Sequence, residues 1–285
     1  MEIKHSVALI VHSCDRYEFL YKGFEFFFTK YWDFDIDCKC YFATEDLNVS
    51  IKNFTTIQSG KGEWADRLSF LLNKKIPEKY ILYVQEDMWL DKKVNANFFN
   101  QLFDLTEKNN WKQVKLHSSN VYKTIGTDVF IEGFNLSKVD NEKSDFLMSH
   151  QITLWEKDFL IKQLYKKEHP WRNERRATKR LKKINPQIFQ VDYFAENGNK
   201  EININVDPVL RSGYNTISHN GTLSENVMPY IQALKSSSSE DQKYADNLAH
   251  NYINLLTHDG KPRPKKIDIF KRTKNWIVSK KRKVI

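Results

Sequence analysis

A chain of 285 residues can bury a substantial core, as one large α/β domain or two small ones, and we read one domain with a tail. Hydrophobic residues at 40% and aromatic residues at 14% exclude a wholly disordered chain and favour a packed protein that stacks sugars or bases. The net charge of +9 does not mark a nucleic-acid groove: residues 261–285 carry eleven Lys and Arg against one acid, Asp268, a net +10, so residues 1–260 sum to −1.

In chain order, SVALIVHSCD opens with a continuous apolar strand. Residues 16–32 follow as a helix, with Leu20, Phe24, Phe27, Phe28 and Tyr31 at three- and four-residue steps on one face. Strand, short turn and helix form the first half of a βαβ unit. CKCYFAT (38–44) is a second strand and FTTIQSG (54–60) a third. Residues 63–72 read as a helix, and Pro77 breaks the chain before the strand YILYVQEDMWL (80–90). A helix over 98–107 and a strand over 113–117 come next, whereas 120–145 are polar, mixed and assigned to no element. Residues 151–155 read as strand, 157–167 as helix, and 192–208 alternate as a hairpin would. KSSSSEDQK (235–243) is a loop into an amphipathic helix over about 241–256, and HDGKPRP marks the start of the basic tail. The alternation predicts an α/β fold with a mostly parallel central sheet, helices on both faces and a C-terminal helical basic tail.

The tail interleaves its charges with Ile267, Ile269, Phe270, Trp276 and Ile277, which suits a peripheral membrane anchor. At about 1 kcal/mol per basic residue near an anionic surface, half of those charges would hold it reversibly. A solvated terminus that aids solubility is the alternative. Three cysteines, Cys14, Cys38 and Cys40, fit no disulfide framework or paired zinc knuckle and point to reducing cytosol. The first apolar run is too short for a signal peptide, and none approaches the roughly 20 residues of a membrane span.

Five constellations could carry chemistry. In HSCDRY, Asp15 can accept hydrogen bonds from a base or ribose and Arg16 can meet phosphate, although Asp15 also suits a helix N-cap. In GKGEWADRL, Trp64 can stack while Asp66 and Arg67 set an acceptor beside a bidentate donor. Glu86 and Asp87 stand at the carboxyl end of a strand, where open α/β sheets bind ligands, and could hold a divalent cation against a diphosphate. They could equally cap a turn and face water. In HPWRNERR, Trp171 offers a sugar platform and Glu174 a base, unless Glu174 belongs to a surface ion-pair network with Arg172, Arg175 and Arg176. In SHNGTL, His219 could reach metal or phosphate, or be an ordinary loop residue.

A strand ending in CDRY, a GxW-DRL segment, a strand ending in two acids, then TLWEKDFL and PWRNE together resemble bacterial and viral GT-A-type glycosyltransferases of surface polysaccharide synthesis, over about residues 5–225. The resemblance implies a GT-A-like, Rossmann-like catalytic domain over 1–234, with a nucleotide-binding half over about 1–115 and an acceptor half over 116–234. A linker and amphipathic helix over 235–260 and the membrane-associating tail over 261–285 would follow. It implies that Cys14, Asp15, Arg16, Asp66 and Arg67 meet the nucleotide, and that the acidic pair is the metal and diphosphate site, with Asp87 the ligand of a divalent cation, Mn²⁺ or Mg²⁺, and Glu86 against the nucleotide-sugar. To these the residue types themselves add Trp64 against the nucleotide-sugar, Trp155 and Trp171 against the acceptor, and His219 as a further metal ligand. Glu174 then lies where such enzymes keep the carboxylate that activates the acceptor. Glu-Asp in place of Asp-x-Asp departs from the family's metal motif, and Arg172 and Asn173 depart from its loop. The implied activity is transfer of a sugar from a nucleoside diphosphate to a hydroxyl of a glycan or lipid-linked acceptor, with inversion, in the cytoplasm at the inner membrane face. A nucleotidyltransferase is the nearest rival, although no glycine-rich loop follows the first strand. A non-catalytic membrane or nucleic-acid adaptor using the tail is another.

Overall fold

Side-chain alternation along β1 (Val7–His12) sets the layering, because successive residues of a strand face opposite sides. Val7, Leu9 and Val11 enter one apolar layer, Ala8 and Ile10 the other. The computed structural model describes residues 6–117, 119, 121–193, 200–202, 210–212 and 216–263. Its sheet strands are β1, β2 (Lys39–Thr44), β3 (Thr55–Gln58), β4 (Tyr80–Val84), β5 (Gln113–Lys115), β6 (Thr124–Ile131), β7 (Phe134–Val139), β8 (Thr153–Glu156) and β9 (Phe189–Gln190). They form one nine-stranded sheet in the order β3-β2-β1-β4-β8-β5-β9-β7-β6. Only β8 and β7 run against the rest.

Helices cover both faces. α1 (Tyr21–Tyr31), α3 (Ala96–Asn109), α6 (Met228–Lys235) and α7 (Ser239–Ile253) pack on the Val7 side; α2 (Trp64–Lys74), α4 (Lys157–Ile161) and α5 (Pro170–Ile184) pack on the Ala8 side. The expected mostly parallel α/β sandwich is therefore present. Because β8 inserts between β4 and β5, the two halves expected over 1–115 and 116–234 share one sheet. The amphipathic helix expected over about 241–256 is α7, whose Tyr244, Ala245 and Leu248 are buried in the same layer as α1.

Several boundaries differ from expectation. The fourth strand ends at Val84, just short of the acidic pair expected at its carboxyl end, and the helix expected over 16–32 opens as a 3-10 turn over Asp15–Leu20. Residues 120–145, unassigned from sequence, supply the β6–β7 hairpin at the sheet edge. The helix expected over 157–167 stops at Ile161, and the loop expected around Trp171 and Glu174 is the first half of α5, with Pro170 in its first turn. Most of the hairpin expected over 192–208 lies outside the described residues; β10 (Lys200–Ile202) pairs antiparallel with β11 (Leu210–Ser212). The tail from 264 onward also lies outside them. No described helix is long and apolar enough to cross a membrane.

Candidate functional site

The parallel strands β1, β4 and β5 finish at one edge of the sheet, and β8, running the other way, starts there. A cleft of about 750 Å³ opens at this edge, within the roughly 300–1,000 Å³ of ordinary ligand sites. Arg16 and Tyr17 from the β1–α1 turn, Gln85 and Asp87 from the β4 loop, and His150 and Gln151 ahead of β8 line it, with Pro170, Trp171 and Glu174 from α5. A hairpin of β12 (Ser218–His219) and β13 (Thr222–Leu223) forms a further wall, together with Arg263. Its turn residues, Asn220 and Gly221, take φ of 53° and 79°, the paired left-handed conformation of a type I′ turn.

Asp87 stands in a loop fixed from several sides. Trp89, 1% exposed, stacks on Phe27 with centroids 5.5 Å apart and donates from Nε1 to the Glu86 carbonyl at 3.1 Å. The Tyr230 hydroxyl donates to the Trp89 carbonyl at 2.6 Å, and the Ile217 amide to the Asp87 carbonyl at 3.2 Å. Asp87 is half-buried in the cleft, with an Oδ1 that has no hydrogen-bond partner among the described residues. Glu86 is turned inward, 6% exposed, and does not line the cleft as a nucleotide-binding residue would. Burial holds both carboxyls above the usual range, and for Glu86 the adjacent Asp87 adds to it.

Glu174, also in the lining, is half-buried and accepts the His150 amide at 3.0 Å. Burial raises its carboxyl; the His150 amide and Lys115 oppose that rise. The ion-pair network considered for it forms elsewhere: Arg180 and Arg176 pair with Glu168, at 3.2 and 3.5 Å. Glu174 and Gln151 also line a second cavity of about 240 Å³ with His117, Tyr122, Met148 and Ser149. Trp171 is 63% exposed at the mouth of the main cleft, and exposed His219 faces the same space from β12.

The other expected site residues serve the framework. Asp15 receives the backbone amides of Glu45, Asp46 and Leu47 at 2.8–3.1 Å, tying the β1–α1 turn to the loop after β2. Replacing Asp15 with alanine is expected to cost about 1–3 kcal/mol in urea unfolding, since these donors lose their acceptor. Asp66 caps the Lys167 amide at 3.1 Å, and buried Arg67 donates to the Ser13 carbonyl at 3.0 Å, so neither lines the cleft. Trp64 and Trp155, expected against ligand, are corrected to core residues, 8% and 1% exposed. Trp64 packs 4.1 Å from His150, and Trp155 sits mid-sheet between β4 and β5, stacked on Phe159. Cys14 is a protonated thiol, pushed up to about 12 chiefly by burial.

The residues missed from sequence include Tyr17, Gln85 and His150, and the SHNGTL segment that carries His219 is a hairpin where a loop was expected. Asn-Gly between short β-forming runs was a legible signal for that hairpin. Among the described residues no group of three or more His, Cys, Asp and Glu assembles a metal cage.

No protein-family model matches the chain, and no curated protein matches its sequence. Among solved structures it resembles S. aureus TarS 1–349 at a TM-score of 0.45 and 10% identity, over 87% of this chain and 70% of that one. CMP:2-keto-3-deoxy-manno-octonic acid synthetase complexed with CTP gives 0.39 and 13%, over 66% and 89%. UDP-glucose pyrophosphorylase complexed with UDP-glucose gives 0.38 and 9%, over 66% and 90%. At these values the likenesses carry no functional weight.

Proposed function

We propose that the protein is a glycosyltransferase that moves a sugar from a nucleoside diphosphate to a hydroxyl of a glycan or lipid-linked acceptor in surface polysaccharide synthesis. The observation that carries this reading is that Asp87 and Glu174 line one cleft at the carboxyl ends of the parallel strands. Asp87 offers an unpartnered carboxylate oxygen beyond the strand ends, and Glu174 offers a half-buried carboxylate shared with a second, smaller cavity. Two carboxylates in unlike settings suit unlike tasks.

The donor diphosphate would lie on the Asp87 side, with Arg16 in reach of phosphate. The residues fit a divalent cation of the Mg²⁺ or Mn²⁺ kind, which takes one or two carboxylates and completes its shell with substrate phosphates and water. Asp87 would hold it, with His219 as a further ligand from the hairpin; when bound it would offset charge on the departing diphosphate. Glu174 would remove the acceptor hydroxyl proton as that oxygen bonds to the anomeric carbon. The bond from that carbon to the diphosphate breaks on the far side, and its electron pair leaves with the diphosphate. A single displacement of this kind inverts the anomeric centre. The product anomer, read by NMR, tests it, and retention would overturn the mechanism. Replacing Glu174 with glutamine is expected to lower kcat by about 10²–10⁴ with donor affinity unchanged.

Release of nucleoside diphosphate, as opposed to pyrophosphate, separates this activity from nucleotidyl transfer. The turn after β1, HSCDRYEF, has no glycine to cradle a triphosphate and disfavours that rival. Residues 261–285 would hold the enzyme to an anionic membrane surface, which deletion of that segment tests by vesicle co-sedimentation.

A further inference from the structure

The charge of the body is unevenly spread. Residues 162–183 carry ten Lys and Arg against Glu168 and Glu174, a net +8, within a stretch of 1–260 that sums to −1. Most of these cations stand on α5, whose inner side buries Asn173, Ala177, Thr178 and Leu181. Arg172, Arg175, Arg176, Lys179, Lys182 and Lys183 are all exposed. At about 100° and 1.5 Å per residue they share an arc of about 120° over roughly 17 Å, one broad face of the helix with no acid on it. A solvated helix face ordinarily intersperses opposite charges three and four residues apart. Here Arg172 and Arg176, Arg175 and Lys179, and Lys179 and Lys183 repel at four-residue spacing, and Arg172 stands against the helix dipole in a first turn without an acid. Buried Glu168 pairs with Arg176 and Arg180; among the described residues no carboxylate pairs with the other five cations of the face. A surface that repels itself gains from an anionic partner.

Large apolar side chains rim the same face. Trp171 precedes Arg172 and lines the cleft, Ile184 follows Lys183, and Tyr165 lies under the Arg180 guanidinium at 3.9 Å; all three are exposed. Trp and Tyr beside Lys and Arg suit a membrane–water boundary, where the rings are covered and the charges meet headgroups. We propose that the outer face of α5 docks on an anionic lipid surface, as a contact separate from residues 261–285, and turns the mouth of the cleft toward the bilayer. A plane of headgroups matches a broad face better than one extended polyanion does, and it covers Ile184, which a polyanion leaves in water. Because Trp171 both borders this face and lines the cleft, a lipid-linked hydroxyl would approach Glu174 without leaving the surface. Docking itself needs neither donor nor acceptor, so it stands apart from the transferase reading.

The test is co-sedimentation of the full chain with vesicles of phosphatidylcholine mixed with phosphatidylglycerol. Arg175→Gln, Lys179→Gln and Lys182→Gln are combined in one variant that keeps residues 261–285 intact. Each basic residue near an anionic surface is worth roughly fivefold in partition, so the variant is expected to bind on the order of 100-fold more weakly than the wild type. Its melting temperature should hold or rise, because like charges leave one face. Unchanged partition in the folded variant, or no wild-type binding to these vesicles, overturns the proposal. So does a variant that keeps its hold on vesicles and loses it on inorganic polyphosphate, which would make the face a site for a soluble polyanion. Should the triple variant fail to fold, Trp171 decides: brominated acyl chains in the same vesicles are expected to quench a larger share of tryptophan emission in the wild type than in Trp171→Phe, and equal quenching overturns docking by this face.

Discussion

Replacing Asp87 with asparagine is expected to lower transfer by about 10³ and to abolish stabilisation by Mn²⁺ or Mg²⁺ in the presence of donor. The amide keeps the size of the carboxylate and one acceptor oxygen but loses the charge that a hard cation requires. The wild type with donor should gain about 2.7 kcal/mol at an ion concentration a hundred times its dissociation constant. A thermal-shift titration reads both proteins side by side. Ion-dependent stabilisation that survives in Asp87→Asn would move the ion to other ligands.

The same variant carries a pH signature whose sign follows from the raised carboxyls. Glu86 and Asp87 titrate higher in the folded protein than in the unfolded chain, because burial penalises their charged forms. Their contribution to stability is complete below the ordinary carboxylate range, about 4, and is lost as pH rises through the folded values. His117 and His150, held at about 3, pull the other way between there and about 6.5. The difference between wild type and Asp87→Asn isolates the acidic pair. Without ion that difference should turn against the wild type as pH rises above about 4, and saturating ion with donor should reverse it. A flat difference would mean that Asp87 is not desolvated.

How far the letters disclosed this arrangement depended on which force set each element. β1, β2, β4, α1 and α2 were legible because an apolar strand, or apolar residues at helical spacing, needs no distant partner to declare itself. β9, two residues long, was not, since its place depends on pairing with β5 and β7. Asp87, Glu174, Trp171, Arg16 and His219 were named from sequence and do meet in one cleft. Trp64 and Trp155 were placed against ligand on residue type alone, and their ring areas are buried in packing instead. The burial of Lys115 was not legible, because QVKLH alternates polar and apolar residues as a half-solvated strand does. The polar face is in fact roofed by α5, a tertiary fact that no local pattern encodes.

Replacing Trp89 with alanine is expected to cost about 3–5 kcal/mol, as for other large aromatic side chains removed from a core. Trp89 holds the acidic loop down, so donor affinity should fall together with stability. Its ring lies so close to Gly23 of α1 that a β-carbon there would stand 2.1 Å from two of its atoms. The indole has nowhere to go, because Phe27 stacks on it and Tyr230 meets it edge-on at 5.4 Å. Gly23→Ala should therefore cost at least the roughly 1–3 kcal/mol usual for an overpacked core, offset slightly by alanine's better helix propensity. In the double variant the clash is absent, since truncating Trp89 vacates the space that the new methyl enters. The two losses should fall short of their sum by about 1–3 kcal/mol in urea unfolding. Additivity within about 0.5 kcal/mol would show that Gly23 and Trp89 do not constrain one another, and the account of how Asp87 is held at the cleft would fail with it.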